Sequence, residues 1–164
     1  MTLPWNEIIQ KDTKFVTEWN DRAPKAKEEA DAQDFQTHFL KVFGVSRRQV
    51  AFFEHRVDMG GPPARRGYID LFWKGRFMIE MKTPGIDRKK AYQQAKEYEE
   101  HLPQHQLPAG ILISDFLTFD YYDLDKNGEL ITFTLDELPQ KIELFGFVKV
   151  TGTKIRSVVT GRVR

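Results

Sequence analysis

One stretch of the chain, residues 65–83, constrains the fold more than any other. Two segments rich in aromatic and branched residues, 68–73 and 76–83, flank Lys74 and Gly75. This pattern predicts a β-hairpin with a short turn. Because side chains alternate between the two faces of a strand, such a hairpin also predicts which residues share a face.

The charged residues of this hairpin are expected to gather on one face. Glu80 and Lys82 alternate with an apolar set in the second strand, and Asp70 alternates with a similar set in the first. The two apolar sets are Ile69, Leu71 and Trp73, and Phe77, Ile79 and Met81. Asp70 is therefore expected to approach Glu80 across the pair. An ordinary edge hairpin with a solvated salt bridge among these three charges is the alternative.

Two carboxylates placed together on an apolar hairpin repel each other, and burial adds to the cost unless a cation compensates. Hard oxygen ligands with room for water and a phosphate oxygen suit Mg²⁺. Glu80 and Lys82 would then hold the metal and position the attacking water. Lys82 would also stabilise the charge that develops on the phosphate. The hairpin thus indicates metal-dependent phosphodiester hydrolysis.

A helix is predicted directly after the hairpin, from Asp87 to His101, with Asp87 as its N-cap. Its buried stripe comprises Ala91, Ala95, Tyr98 and Leu102. Gln94 and Tyr98 are four residues apart, and are therefore neighbours on the helix surface.

The order of these motifs resembles the PD-(D/E)xK nuclease superfamily. With the flanking segments 31–35, 42–44 and 144–147, the chain from about Trp5 to Phe147 resembles the amino-terminal endonuclease domain of MmeI-like type IIL restriction-modification enzymes. The resemblance implies cleavage of double-stranded DNA that depends on Mg²⁺, with Mn²⁺ as a substitute.

The resemblance also implies roles for individual residues. Asp70, Glu80 and Lys82 match the catalytic triplet, and the metal ligands would be Asp70, Glu80 and the Met81 carbonyl. Gln94 and Tyr98 would support the site. Such folds often supply a further acid from the preceding helix; Glu28, Glu29 and Asp31 are the candidates, and the helical phase favours Glu28.

Composition fits one globular domain, because 164 residues with 40% hydrophobic side chains can bury an adequate core. The chain has no cysteine, so it has neither disulfides nor thiolate metal sites. It has no signal peptide and no long apolar run, which predicts a cytoplasmic protein without a membrane span.

Charge is unevenly distributed although the net charge is only +1. Residues 65–90 carry eight basic and three acidic side chains, and the balance reverses over 115–143. A positive field around the hairpin is what a phosphate backbone would need. The residues expected to contact DNA are Arg65, Arg66, Lys89 and Lys90.

The remaining patterns predict an α/β fold, a mixed central β-sheet of four or five strands flanked by helices, with a restriction-endonuclease-like core. Helices are predicted at 5–19, 24–43 and 135–145, and further strands at 50–57, 109–114, 117–124 and 129–134. The closing helix is expected to be capped by Thr134 or Asp136.

We expect a nuclease domain over residues 1–147 and a basic tail of unknown role over 148–164. Relatives of this type continue into a helical spacer, a methyltransferase and a target-recognition domain. Either a partner subunit supplies recognition and modification, or the domain cuts weakly and without much sequence preference. A homodimer on DNA is expected for double-strand cleavage. A catalytically silent DNA-binding or partner-docking module is the alternative function, and a junction-resolving nuclease is a more remote one.

Overall fold

The structure is a computed structural model that describes residues 3–46 and 52–149. Its helices are α1 (Trp5–Arg22), α2 (Glu28–Val42), α3 (Arg88–Glu100) and the short α4 (Leu138–Lys141). Its strands are β1 (Phe52–Gly60), β2 (Arg65–Trp73), β3 (Phe77–Met81), β4 (Gly110–Ser114), β5 (Thr118–Asp123) and β6 (Glu129–Thr134). Among these residues, no helix combines the length and the apolar character needed to cross a bilayer.

The strands form one mixed sheet in which spatial order follows chain order, from β1 to β6. β3 and β4 are parallel and every other neighbouring pair is antiparallel. A parallel pair needs a crossover connection, and α3 provides it. The expectation of four or five strands was wrong, because all six predicted strand segments join the same sheet.

Helices cover both faces of the sheet. On one face α1 and α2 pack through a cluster of aromatic rings that includes Phe15, Trp19, Phe35 and Phe39. On the other face α3 packs through small side chains such as Ala91 and Ala95, which allow its backbone to approach the strands closely. The predicted α/β architecture is confirmed.

The apolar residues of the hairpin follow the predicted face pattern except at Ile69. Leu71, Trp73 and the apolar set of β3 face the α1–α2 layer, whereas Ile69 lies in the cluster under α3. The β2–β3 ladder pairs only Leu71–Trp73 with Phe77–Ile79. Ile69 lies beyond that ladder, in the part of β2 that pairs only with β1.

Two predicted helices have different bounds in the structure. α1 continues to Arg22, and α2 begins at Glu28 because residues 23–25 form a separate 3₁₀ turn. The predicted closing helix is broken into 3₁₀, α and 3₁₀ segments, with non-helical backbone at Phe145. Pro139 lies in the first turn of α4, the only part of a helix that tolerates proline.

Thr134 is the N-cap of this broken segment. It is one of the two predicted caps, and Asp136 is the other. Its N–H donates to Oε1 of Glu137 at 2.9 Å. The start of the first predicted strand at Val50 and residues 150–164 of the predicted tail lie outside the described residues. The role of that tail stays a prediction.

Candidate active site

The site forms where β2 and β3 separate. The last residue pair of their ladder is Leu71 with Ile79, so Asp70 and Glu80 would be the next. Instead of bonding to backbone, the Asp70 N–H donates to Oε1 of Glu80 at 3.0 Å. The Met81 N–H donates to Oδ2 of Asp70 at 2.8 Å. Each carboxylate is therefore held by the backbone of the opposite strand.

Lys82 is positioned from the other side of β3. Its N–H donates to the Ser114 carbonyl at 2.8 Å, which extends the parallel β3–β4 pairing past Met81. Its ammonium lies 3.8 Å from Oε1 of Glu28. Glu28 is the first residue of α2, and its own N–H donates to Oγ1 of Thr83 at 3.0 Å. The start of α2 is thus fastened to the strand end that carries Lys82.

Glu80 is strongly perturbed by its surroundings. Its side chain is buried, with 3% exposed. Burial raises the pKa of Glu80 well above its ordinary value, and the neighbouring charge of Asp70 raises it further. A carboxyl in this setting either holds a proton or needs a nearby cation. The solvated edge hairpin is therefore excluded, since β3 lies in the sheet interior and Lys82 pairs with Glu28.

A divalent metal fits this donor set in part. Asp70 and Glu80 offer hard carboxylate oxygens, and a cation would offset the repulsion that perturbs Glu80. Within residues 3–46 and 52–149, however, no group of three or more His, Cys, Asp or Glu side chains is arranged to hold a metal ion. Further ligands would have to be backbone carbonyl, water or phosphate oxygens, which is the ligand set that Mg²⁺ commonly retains.

Tyr98 of α3 packs directly on β2. A Cβ added at Gly67 would overlap the Tyr98 ring, so the absence of a side chain at Gly67 lets the ring lie on the strand. Burial raises the pKa of the Tyr98 hydroxyl, and the charge of Glu80 contributes in the same direction. Tyr98 therefore lies close enough to the carboxylates to interact with them electrostatically.

Two clefts adjoin the site. One, of about 380 Å³, lies between α2 and β2 and is lined by Glu28, Glu29, Ala32, Gln33, Gln36 and Asp70. The other, of about 250 Å³, lies at the start of α3 and is lined by Lys82, Ile86, Asp87, Lys90, Ala91 and Gln94. Gln94 and Lys90 thus share a cleft with Lys82. Of the candidate helix acids, Glu28 and Glu29 border the Asp70 cleft, whereas Asp31 pairs with Arg22.

The basic residues near the hairpin serve different purposes. Arg66, Lys89 and Lys90 are exposed, and Arg65 forms an exposed ion pair with Glu97 at 2.9 Å. Two other basic residues counted within 65–90 have partners inside the fold. Arg88 pairs with Asp115 and Asp120, and Arg76 is buried and donates to the Phe147 carbonyl. The positive field is therefore weaker than the sequence count predicts.

Gln36 was missed by the sequence reasoning. It lines the Asp70 cleft, its side chain is 1% exposed, and neither atom of its amide group has a hydrogen-bond partner. It follows Ala32 by one helical turn and Glu28 by two, so the helical period that placed Glu28 near the site would have placed Gln36 on the same side.

The six-stranded mixed sheet, helices on both faces and paired carboxylates at the strand separation define a restriction-endonuclease-like domain. The fold is similar to that in a cryo-EM structure of a DrdV–DNA complex, with a TM-score of 0.55 and 15% identity over 86% of this chain. The chain corresponds to 14% of the length of that chain.

The family model described as "MmeI, N-terminal domain" matches residues 10–158. The chain belongs to this family of restriction-type nuclease domains. A comparison with curated proteins gave no match.

Proposed function

We propose that the chain is a Mg²⁺-dependent DNA endonuclease domain that hydrolyses phosphodiester bonds, with Mn²⁺ able to replace Mg²⁺. The observation that supports this proposal most directly is the pair of carboxylates held where β2 and β3 separate. Glu80 is buried beside Asp70, and the pKa of Glu80 is raised. Two carboxylates in this arrangement destabilise the fold, and a bound cation would offset the repulsion between them. Family membership adds support for nuclease chemistry.

The bound metal would lower the pKa of a water molecule and stabilise negative charge on the phosphate. Asp70, Glu80 and the Met81 carbonyl are the proposed ligands. Lys82 orients the attacking water through its ammonium and stabilises the charge that develops on the phosphate. Glu28 orients Lys82 through their ion pair.

Residues around the site have supporting roles in this proposal. Tyr98 and Gln94 border the site from α3, the first against the carboxylates and the second beside Lys82. Arg66, Lys89 and Lys90 contact the DNA backbone, and Arg65 exchanges its exposed partner Glu97 for a phosphate. An exposed ion pair is worth at most about 1 kcal/mol, so this exchange costs little.

Double-strand cleavage needs two such sites, which we assign to a homodimer on double-stranded DNA. A subunit with methyltransferase and target-recognition functions is a further proposed partner. The cryo-EM neighbour is itself described as a DNA complex, which agrees with a DNA substrate for this fold.

The proposal is tested with purified protein, supercoiled plasmid and titrated Mg²⁺ or Mn²⁺. We expect nicking or linearisation that requires the metal and is lost in Glu80→Gln, which keeps an acceptor for the Asp70 N–H. Glu129→Gln, an exposed position on β6, is the matched control and is expected to cleave normally. Metal-independent cleavage, or cleavage that persists in Glu80→Gln, would refute the assignment.

A silent DNA-binding or partner-docking module is the second candidate. It is favoured by the lack of a three-acid cluster within the described residues. It predicts DNA binding without metal, a steep dependence of affinity on salt, and no cleavage at any metal concentration.

A further inference from the structure

Part of β1 and β2 forms a two-stranded ribbon with one covered face. β2 pairs with β3 only over Leu71–Trp73, whereas its pairing with β1 continues to Arg65. Residues 55–60 and 65–69 therefore extend past the β2–β3 ladder as a pair of strands, called the ribbon below. α3 covers one face of the ribbon. The buried side chains on that face are Val57, Met59 and Ile69.

The opposite face of the ribbon leads directly to the active site. Gly67 and Ile69 face α3. Because side chains alternate along a strand, Arg66, Tyr68 and Asp70 point away from α3. Tyr68 is 53% exposed, and two residues of a strand span about 7 Å. A molecule that contacts the Tyr68 ring therefore lies next to the Asp70 carboxylate.

Two arginines flank the Tyr68 ring. Arg56 is the β1 residue directly across from Tyr68, and Arg66 precedes Tyr68 by two residues on the same face. Both arginines are exposed. The face also carries Asp58, opposite Arg66, and one of its carboxylate oxygens accepts from the Gly60 N–H at 3.0 Å. An aromatic ring between two guanidinium groups suits a polyanion that also presents apolar atoms, and DNA has both properties.

The dimensions of the ribbon favour one groove of the duplex. Neighbouring strands lie about 4.8 Å apart before their side chains are counted. The minor groove, about 6 Å wide, is too narrow for two strands with side chains, whereas the major groove, about 12 Å wide, admits a two-stranded ribbon. The major groove also contains the thymine methyl groups, which offer apolar contact to an aromatic ring.

We propose that the face of the ribbon opposite α3 lies in the major groove of the DNA, beside the scissile phosphate. Tyr68 packs against base edges in this groove, and Arg56 and Arg66 contact phosphates on its two sides. The inference rests on the proposed nuclease function, because the site at Asp70 determines which phosphate lies next to Tyr68. It adds Tyr68 and Arg56 to the residues that contact DNA.

Binding to a short DNA duplex, measured by fluorescence anisotropy in Ca²⁺ in place of Mg²⁺, tests the role of Tyr68 without cleavage. Tyr68→Ala is expected to weaken binding by about 10-fold, a typical loss when an aromatic residue at the centre of an interface is truncated. Leu130→Ala is the matched control, since Leu130 is 46% exposed on β6 at the far edge of the sheet. It should bind like the wild type, and circular dichroism should show both variants folded. Equal affinity of Tyr68→Ala and wild type, or equal losses in the two variants, overturns the inference.

The dependence of affinity on salt separates apolar contacts from phosphate contacts. Arg56→Gln should reduce the slope of log K against log salt concentration by about 0.9, the value for one phosphate contact. Tyr68→Ala should leave this slope unchanged, because an apolar contact releases no counterions. An unchanged slope in Arg56→Gln overturns the assignment of Arg56.

The groove is tested with a second duplex in which glucosylated 5-hydroxymethylcytosine replaces cytosine. The 5-position of a pyrimidine faces the major groove, so the glucose occupies the space assigned to the ribbon. The wild type should bind this duplex more weakly than unmodified DNA, by about 10-fold or more, because of the clash. Equal affinity for the two duplexes overturns the groove assignment.

Failure of the proposed function gives a different result. A protein that shows these binding effects but does not cleave DNA with Mg²⁺ or Mn²⁺ refutes the nuclease and supports the ribbon as a DNA-binding surface. A protein that cleaves DNA, with equal affinity in wild type and Tyr68→Ala, refutes the role of the ribbon alone.

Discussion

Asp12 makes the stability of this protein depend on pH in a way that can be measured. It lies on the inward face of α1 with no exposed surface, and neither carboxylate oxygen has a hydrogen-bond partner. Burial raises the pKa of Asp12 from its ordinary value of 3.8 to about 7. The folded protein therefore binds a proton at Asp12 between these two pH values, where the unfolded chain has released it.

The direction in which stability changes with pH follows from this difference in proton binding. Below pH 3.8 both states are protonated, and Asp12 contributes no charge to bury. As pH rises towards 7 the free energy of unfolding falls, and above pH 7 Asp12 causes no further loss of stability. At about 1.4 kcal/mol per pH unit, the interval from 3.8 to about 7 corresponds to a loss of roughly 4 kcal/mol. This is a large part of the stability of a typical domain.

The perturbation is Asp12→Asn, which keeps the shape of the side chain and removes its titration. Urea unfolding followed by circular dichroism at several pH values from 4 to 8 gives the free energy of unfolding of each variant. The advantage of the Asn variant over the wild type should grow by about 4 kcal/mol across this range. Asp21→Asn, exposed on the same helix, should show no such growth. Parallel pH curves for wild type and Asp12→Asn would refute the reasoning.

Three further substitutions separate structural from functional roles. Gly67→Ala should destabilise the fold by about 1–3 kcal/mol because its Cβ meets the Tyr98 ring; adding Tyr98→Ala should recover part of that loss in urea unfolding. Lys82→Met should abolish plasmid cleavage with less than about 1 kcal/mol of destabilisation, since its ion pair with Glu28 is long and partly exposed. Arg88→Met should destabilise by about 2 kcal/mol in urea, because it leaves the buried carboxylates of Asp115 and Asp120 without their cation.

Local patterns in the sequence predicted most of the fold. The hairpin, the N-cap of α3 at Asp87 and the buried strand β4 each follow from residues close in the chain. The structure confirms them: Asp87 accepts from the Lys89 N–H at 2.9 Å, and every residue of β4 is buried. These elements are predictable because turn chemistry, capping and hydrophobic runs act over a few residues.

Features that depend on distant residues were not predictable in the same way. The sequence separates a basic segment from an acidic one, yet the fold brings Arg88 of the first against Asp115 and Asp120 of the second. Charge counts along a chain therefore do not describe the charge of a surface. Asp12 lies among the buried residues of α1, but the lack of a hydrogen-bond partner for its carboxylate oxygens depends on what α1 packs against.

The place where the hairpin opens was also not predictable from alternation alone. β3 stays paired with β4 through the Lys82 N–H but loses β2 beyond Leu71. Backbone groups released inside a protein need new partners. The side chains of Asp70 and Glu80 provide acceptors for the N–H groups that the ladder no longer pairs.

Each carboxylate therefore has two roles. It is a candidate metal ligand, and one of its oxygens accepts a hydrogen bond from a backbone N–H of the opposite strand. Alanine at Asp70 or Glu80 would remove a candidate ligand and also leave a backbone N–H unpaired, at a cost of about 1–3 kcal/mol. Asn or Gln at the same position retains a carbonyl oxygen for that N–H while removing the negative charge. If only the alanine variant loses activity, the cause is the lost acceptor for the backbone N–H. If both variants lose activity, the cause is the lost negative charge of the carboxylate.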